Sequence, residues 1–129
     1  MSKEPLVLNK GYEKKVPFSL GVVASGRMLY TAGITSRNAD GDVVGEGDIR
    51  AQVAQCFANL ADVLAAAGAT FSQIIKYTIF VTDIDVFNNE TRDVRFPFFV
   101  DRPAATLVEV RRLIDPRMMV EVEAVACLD

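Results

Sequence analysis

Residues 73–82 read Gln-Ile-Ile-Lys-Tyr-Thr-Ile-Phe-Val-Thr, a run of β-branched and aromatic side chains with little polar relief. Successive side chains of a strand point to opposite faces, so this run is apolar on both. Such a strand belongs inside a sheet, paired on both edges. The rest of the chain must therefore supply flanking strands and something to cover them.

Residues 48–67 supply a cover. Val53, Phe57, Leu60, Leu64 and Ala67 recur at spacings of four and three, which draws one apolar stripe along a helix. Asp48 is placed to cap its N-terminus, and Gly68 to serve as the residue just past its C-terminus. After the central strand, Asp83-Ile84-Asp85 turns the chain into a second helix from about Phe87, which Pro97 should kink or end.

Ahead of the first helix, residues 6–8 suggest an edge strand and residues 11–17 a lysine-rich loop. Residues 18–24 and 28–32 read as two strands joined through Ser25-Gly26-Arg27 as a hairpin. Asp40-Gly41 marks a turn in the loop that runs on to Gly47. Three glycines between 41 and 47 match neither a Walker loop nor a dinucleotide fingerprint, so no phosphate site is expected there.

Residues 103–126 close the chain with two more β-forming runs around a basic connection that holds Asp115-Pro116. They are expected to be neighbouring antiparallel strands. Alternation sets Ala105, Leu107 and Glu109 on one face of the first, with Thr106, Val108 and Val110 on the other. In the second, Val120, Val122, Ala124 and Ala126 oppose Glu121, Glu123 and Val125. Three carboxylates on an otherwise apolar ribbon need water, a cation or a chemical task. The element order is β-β-β-α-β-α-β-β, one α+β domain over residues 1–129. Two helices on one face of a mixed sheet leave the other face, assigned the three acids, to be covered by further copies of the chain.

Composition narrows the function. Of 129 residues, 50% are hydrophobic. A mean hydropathy of +0.21 fits apolar surface hidden in an oligomer. A net charge of −3 argues against a dedicated nucleic-acid partner. No run approaches the ~20 apolar residues of a membrane span, and the N-terminus lacks a signal-peptide core. The expectation is a cytoplasmic protein with no membrane partner. There is no histidine, and Cys56 and Cys127 lack metal-ligand spacing, so no metal is expected and both thiols should be reduced core residues. Catalysis must then fall to carboxylates, hydroxyls, cations or backbone groups.

The chain resembles the YjgF/RidA family over nearly its whole length. The resemblance rests on Pro17-Phe18-Ser19-Leu20-Gly21-Val22, Leu29-Tyr30-Thr31-Ala32-Gly33, Ala51-Gln52 through Gly68 and Ile75-Lys76-Tyr77-Thr78-Ile79-Phe80-Val81-Thr82-Asp83. Most specific are Arg102-Pro103-Ala104-Ala105-Thr106-Leu107-Val108-Glu109-Val110 and Val120-Glu121-Val122-Glu123-Ala124-Val125-Ala126. The resemblance implies a chorismate-mutase-like fold and a homotrimer with small-molecule clefts between subunits. It also implies cofactor-free hydrolysis of reactive imines and enamines such as 2-aminoacrylate, releasing ammonia and a keto acid.

Carried over position by position, the catalytic glutamate is Glu121 and the cleft glycine is Gly33. The arginine that grips the substrate carboxylate falls at Ala105, followed by Thr106. The usual tyrosine falls at Phe18, the serine before the cleft glycine at Ala32, the cysteine at Leu107 and the second-helix asparagine at Thr91. An alanine offers no guanidinium fork, so activity on 2-aminoacrylate should be weak or absent. Short matches at Thr35-Ser36-Arg37 and Asp48-Ile49-Arg50-Ala51-Gln52 are similar to the 2-aminomuconate deaminase branch, which also keeps that arginine. Arg37, Arg92, Arg95 and Arg102 are possible replacement cations, Arg37 the first to test. Glu109 and Glu123 are expected to serve structure rather than chemistry. A non-catalytic ligand-binding or protein-interaction trimer is the second reading, and endoribonuclease activity ranks last.

Overall fold

The computed structural model describes residues 2–129. Its centre is the strand β4, Ile74–Val81 in a chain order of β1 (Glu4–Pro5), β2 (Val22–Val23), β3 (Met28–Tyr30), α1 (Ile49–Ala66), β4, α2 (Ile84–Glu90), α3 (Arg92–Arg95), β5 (Ala104–Glu109) and β6 (Val120–Cys127). A mixed four-stranded sheet runs β3-β6-β4-β5, with β4 paired on both edges as its composition demands. Tyr77, Ile79 and Val81 are buried under α1, together with Val120, Val122, Ala124 and Ala126 of β6. A bulge at Ile74/Lys76 resets the register and buries Ile74 on the same side.

Helix α1 follows its local signals. The Asp48 carboxylate accepts the Ala51 N–H, a cap of about 1 kcal/mol. At the other end Gly68 takes φ +71°, its N–H reaches the Ala65 carbonyl, and the Ala69 N–H reaches Leu64, closing a Schellman motif. The buried face carries Val53, Phe57, Leu60 and Leu64, as the stripe predicts, with Ile49 and Cys56 added. Phe57 stacks on Phe98 with centroids 4.6 Å apart and meets the edge of Tyr77. Gln52, fully buried, is satisfied by backbone alone: it donates to the carbonyls of Gly45 and Arg117 and accepts the Met119 N–H.

The strand partners differ from expectation in two places. Residues 18–24 and 28–32 form no hairpin: β2 pairs with β1, and β3 pairs with β6. The eight-residue edge of β6 offers β3 a ladder that also buries Leu29, whereas residues 18–24 contribute only Val22–Val23 and a lone bridge from Ser19 to Ala104. The closing hairpin is also absent, because β4 lies between β5 and β6. β5 runs parallel to β4, which requires a crossover, and α2–α3 provide it. At the far end of β4, Val110 bonds to Val81 and Thr82 to Met119, so residues 110–119 pass over that end to place β6 on the other edge.

Three local readings also change. Residues 6–8 are exposed coil rather than a strand, and the Leu8 and Lys10 amides are taken by the Glu13 carboxylate in a short 3-10 turn within residues 11–17. The second helix starts at Ile84, capped by Asp83, and breaks at Thr91, whose hydroxyl donates back to the Phe87 carbonyl. Pro97 follows directly on the end of α3 at Arg95, in the first turn of the 3-10 segment Phe96–Phe98, so the α-helical stretch stops before it as expected, after the earlier break at Thr91. Glu109, register partner of Val81, lies away from Glu121's face; its carboxylate accepts the Ile84 N–H at the start of α2. The uncovered face thus carries two acids, Glu121 and Glu123, beside Lys76, Thr78, Phe80 and Tyr30, the last 72% exposed.

Candidate functional site

The sequence-predicted residues fall into two groups on opposite sides of the sheet. The first surrounds a cavity of about 320 Å³ at the edge of β5. Ala105, Thr106 and Leu107 form one wall, and Phe18 reaches it from the N-terminal segment. Phe18 is held there by Arg102, whose guanidinium donates to the carbonyls of Glu13 at 2.8 Å, Val16 at 3.0 Å and Phe18 at 2.6 Å. Arg102 is therefore a brace and not a free cation. Thr106, across the strand from Ala105, turns toward the open face and accepts the Lys76 ammonium at 2.6 Å.

The opposite wall comes from α2 and α3, with Asn88, Arg92 and Arg95. Thr91 is fully buried behind this wall and does not line it. Its hydroxyl accepts from Arg95 Nη1 at 3.1 Å while donating to Phe87, so it orients the arginine instead of touching the cavity. Among these wall residues Arg92 and Arg95 are legible in sequence only as two of several cations. The helix break at Thr91, which turns Arg95 inward, has no local signature beyond the threonine itself.

The second group is Gly33 and Glu121, with Arg37 nearby in sequence but set against α1. Ile34 exchanges both backbone hydrogen bonds with Val122, at 2.7 and 2.9 Å, which lays Gly33 against β6. A Cβ on Gly33 would lie 2.0 Å from Glu121 Oε2 and 2.7 Å from its Cδ. Only a glycine lets the Glu121 carboxylate occupy this place. Among the described residues that carboxylate makes no hydrogen bond or ion pair. Arg37 shares a shallow hollow with Gly33, and its carbonyl accepts from Asn59 at 2.7 Å. That hollow is walled by Gln55, Asn59, Asp62 and Val63 of α1, so Arg37 lies against the helix, with neither Glu121 nor Ala105 lining its hollow.

Cys56, on the buried face of α1, lies behind Glu121. Burial first, and the Glu121 charge second, push its thiol up to about 12, so it is no nucleophile at neutral pH. Among the described residues no group of His, Cys, Asp or Glu is arranged to hold a metal ion. No helix is long and apolar enough to cross a membrane.

Chemically, the arrangement offers one partnerless carboxylate against bare backbone and, separately, an apolar cavity with cations in one wall. The mixed α+β fold is that of the YjgF/Rid structures. The chain belongs to the YjgF/Rid family: the family model described as Endoribonuclease L-PSP matches residues 11–128. A Rid family protein of Yersinia pestis, YyfB, superposes with a TM-score of 0.89 at 30% identity, over 99% of this chain and 100% of its own. A RutC family protein of Pyrococcus horikoshii is 34% identical over 112 residues, 85% of this chain and 86% of its own length. The human 2-iminobutanoate/2-iminopropanoate deaminase is 28% identical over 111 residues, 85% of this chain and 79% of its own.

Proposed function

We propose that the chain is a hydrolase of reactive imines or enamines, working without a cofactor in clefts between the subunits of a homotrimer. The observation that carries this reading is the Glu121 carboxylate, unpaired and fitted against Gly33 on the uncovered sheet face. An acid kept unpaired on a surface that would otherwise bury apolar side chains is costly unless it has work to do. Glu121 and the Ala105 cavity open to opposite sides of one sheet, so a cleft using both needs a second copy.

In the reaction, Glu121 takes a proton from a water molecule as the oxygen attacks the C=N carbon. It returns that proton to nitrogen, and the carbinolamine collapses to a carbonyl compound with loss of ammonia. The backbone at Gly33 lines the approach. With Ala105 in place of a guanidinium, 2-aminoacrylate, whose short carboxylate must be gripped close to the reacting carbon, is a poor substrate.

The test is ammonia release from 2-aminoacrylate generated in situ by a serine dehydratase, beside a panel of bulkier imino acids. Slow turnover on the first and Glu121-dependent turnover on the others supports the reading; rapid turnover that survives Glu121→Ala defeats it. The Ala105 substitution favours one other reading, a trimer that binds a small metabolite without converting it. Saturable binding with no product in any of these assays would select it.

A further inference from the structure

Arg95 is 6% exposed and lines the cavity beside Ala105, yet among the described residues no carboxylate pairs with it. Its partners are all neutral. Nη1 donates to the Phe87 carbonyl at 3.2 Å and the Thr91 hydroxyl at 3.1 Å, and Nη2 donates to Asn88 Oδ1 at 3.2 Å. The guanidinium lies 4.4 Å over the Phe87 ring and 5.1 Å from that of Phe96. This fixes its plane while leaving the Nε–H and one Nη2 hydrogen without a protein acceptor. The nearest acid in sequence, Asp93, is engaged elsewhere by Arg50 at 2.7 and 2.8 Å.

A buried guanidinium is ordinarily matched by a carboxylate, since an uncompensated charge is expensive. Here the neighbouring charge is another cation, Arg92. Burial first, and Arg92 second, push Arg95 down to about 10, which still leaves it charged at neutral pH. Among the described residues three cationic side chains and no carboxylate line the cavity; the remaining walls are largely apolar, with Phe18 and Leu107 where the resemblance implies polar groups, and Phe99 beside them. At about 320 Å³ it stands at the small end of the ~300–1,000 Å³ typical of ligand sites.

We propose that Arg95 is the anion-binding group of this cavity, presented from the helical wall in place of a strand arginine at position 105, and that the ligand is a small organic acid with an aromatic or aliphatic body. The carboxylate meets the two free N–H groups of Arg95 as a charge-assisted pair. Arg92 and Lys15, both exposed, raise the local concentration of anions. The aromatic walls exclude water around an apolar body and offer nothing to hydroxyls. This assignment rests on reading the cavity as the substrate half of the hydrolase cleft.

The probes are phenylacetate and its neutral isostere phenylacetamide, titrated calorimetrically into the full chain. Phenylacetate should bind saturably and phenylacetamide about tenfold or more weakly. Arg95→Met should erase that preference, Arg95→Lys should keep part of it, and Arg27→Ala, at a remote exposed site, should leave it intact. Because Arg95 also braces α2 and α3, a readout on the unsubstituted protein stands beside these: the Arg95 Nε–H resonance should shift with phenylacetate and not with phenylacetamide. Equal binding of acid and amide, unchanged preference in Arg95→Met, or an Arg95 resonance unmoved by phenylacetate overturns the assignment. Acid-selective binding without imine turnover removes only the hydrolase reading. Turnover that persists in Arg95→Met removes only the role of Arg95.

Discussion

The Glu121 side of the sheet and the Ala105 side are built by different means. Glu121 is placed by backbone: a β ladder draws Gly33 against β6, and the carboxylate fills the space a Cβ would take. The Ala105 cavity is placed by side chains, with Phe18 held by Arg102 and Arg95 held by Thr91. A side chain at position 33 would push the Glu121 carboxylate out of its place. A side-chain wall can exchange members while the cavity persists. The resemblance keeps Gly33 and Glu121 and departs at Phe18, Ala32, Thr91, Ala105 and Leu107, so most but not all departures fall on the side-chain wall.

The largest effect expected from this contrast is on turnover. Glu121→Gln should lower the rate on the preferred imine by about 10²–10⁴-fold, the range for losing a general acid–base group. The melting temperature should hardly move, because the carboxylate has no hydrogen bond to lose among the described residues. A large loss of stability with a small loss of rate would turn Glu121 into a structural acid.

Next comes Gly33→Ala. Its Cβ must displace the Glu121 carboxylate, the end of a flexible side chain, so the variant should lose activity with a stability loss of only roughly 0.5–1.5 kcal/mol, the cost of an off-rotamer side chain. The Gly33→Ala/Glu121→Ala pair should recover much of that stability, since the colliding atoms are gone. Denaturant melts of the four proteins measure the coupling. Additive losses would mean that Gly33 is needed for its own backbone and not for its neighbour.

The same division separates what sequence conveys from what it does not. Helix α1 is legible from Asp48 to Gly68 because caps and a 3.6-residue stripe are local. The central place of β4 is legible because its run of β-branched and aromatic residues calls for a strand paired on both edges. The pairing of β2, β3, β5 and β6 is not, since each strand's alternation is satisfied by several neighbours and the choice is settled by distant ladders. Glu109 shows the cost: its own alternation sets it with Ala105 and Leu107, yet treating β5 and β6 as a hairpin moved it onto Glu121's face. In the site, Phe18, Ala105, Thr106 and Leu107 are brought together as the motifs imply. The significance of Arg95 lies in its burial and in the acid it lacks, and neither is written in a linear chain.

A third test concerns the core behind Glu121. The folded Cys56 thiol holds its proton to about 12, while the unfolded chain releases it near the ordinary thiol value of about 8.5. Stability from this group is therefore complete below that value and falls above it by about 1.4 kcal/mol per pH unit. Burial pushes the Tyr77 phenol upward as well, which steepens the fall at higher pH. Melts across pH 8–11 should show a shallower decline in Cys56→Ala than in the parent. Glu121→Gln should shift the Cys56 titration slightly downward, by removing the lesser of its two causes. An unchanged slope in Cys56→Ala would place the sensitivity elsewhere.

The smallest effect is on the Ala105 side, in acid. Glu13 accepts the backbone N–H groups of Leu8 and Lys10, and these bonds, with lesser help from Arg102 and Lys10, hold its carboxyl below the usual range. A depressed carboxyl stabilises above its unfolded value, near 4, and loses that contribution as pH falls through the folded one. The Glu13 carbonyl is also an anchor of Arg102, which in turn holds Phe18. Protonating Glu13 should therefore loosen Phe18 before the fold as a whole gives way. In an NMR titration from pH 6 to pH 3, the Phe18 ring resonances should move with Glu13 while those of Ile34 and Val122 stay still. In Glu13→Gln the Phe18 shift should be present from the start and no longer depend on pH. Parallel movement on both sides of the sheet would show that the two halves are not independently held.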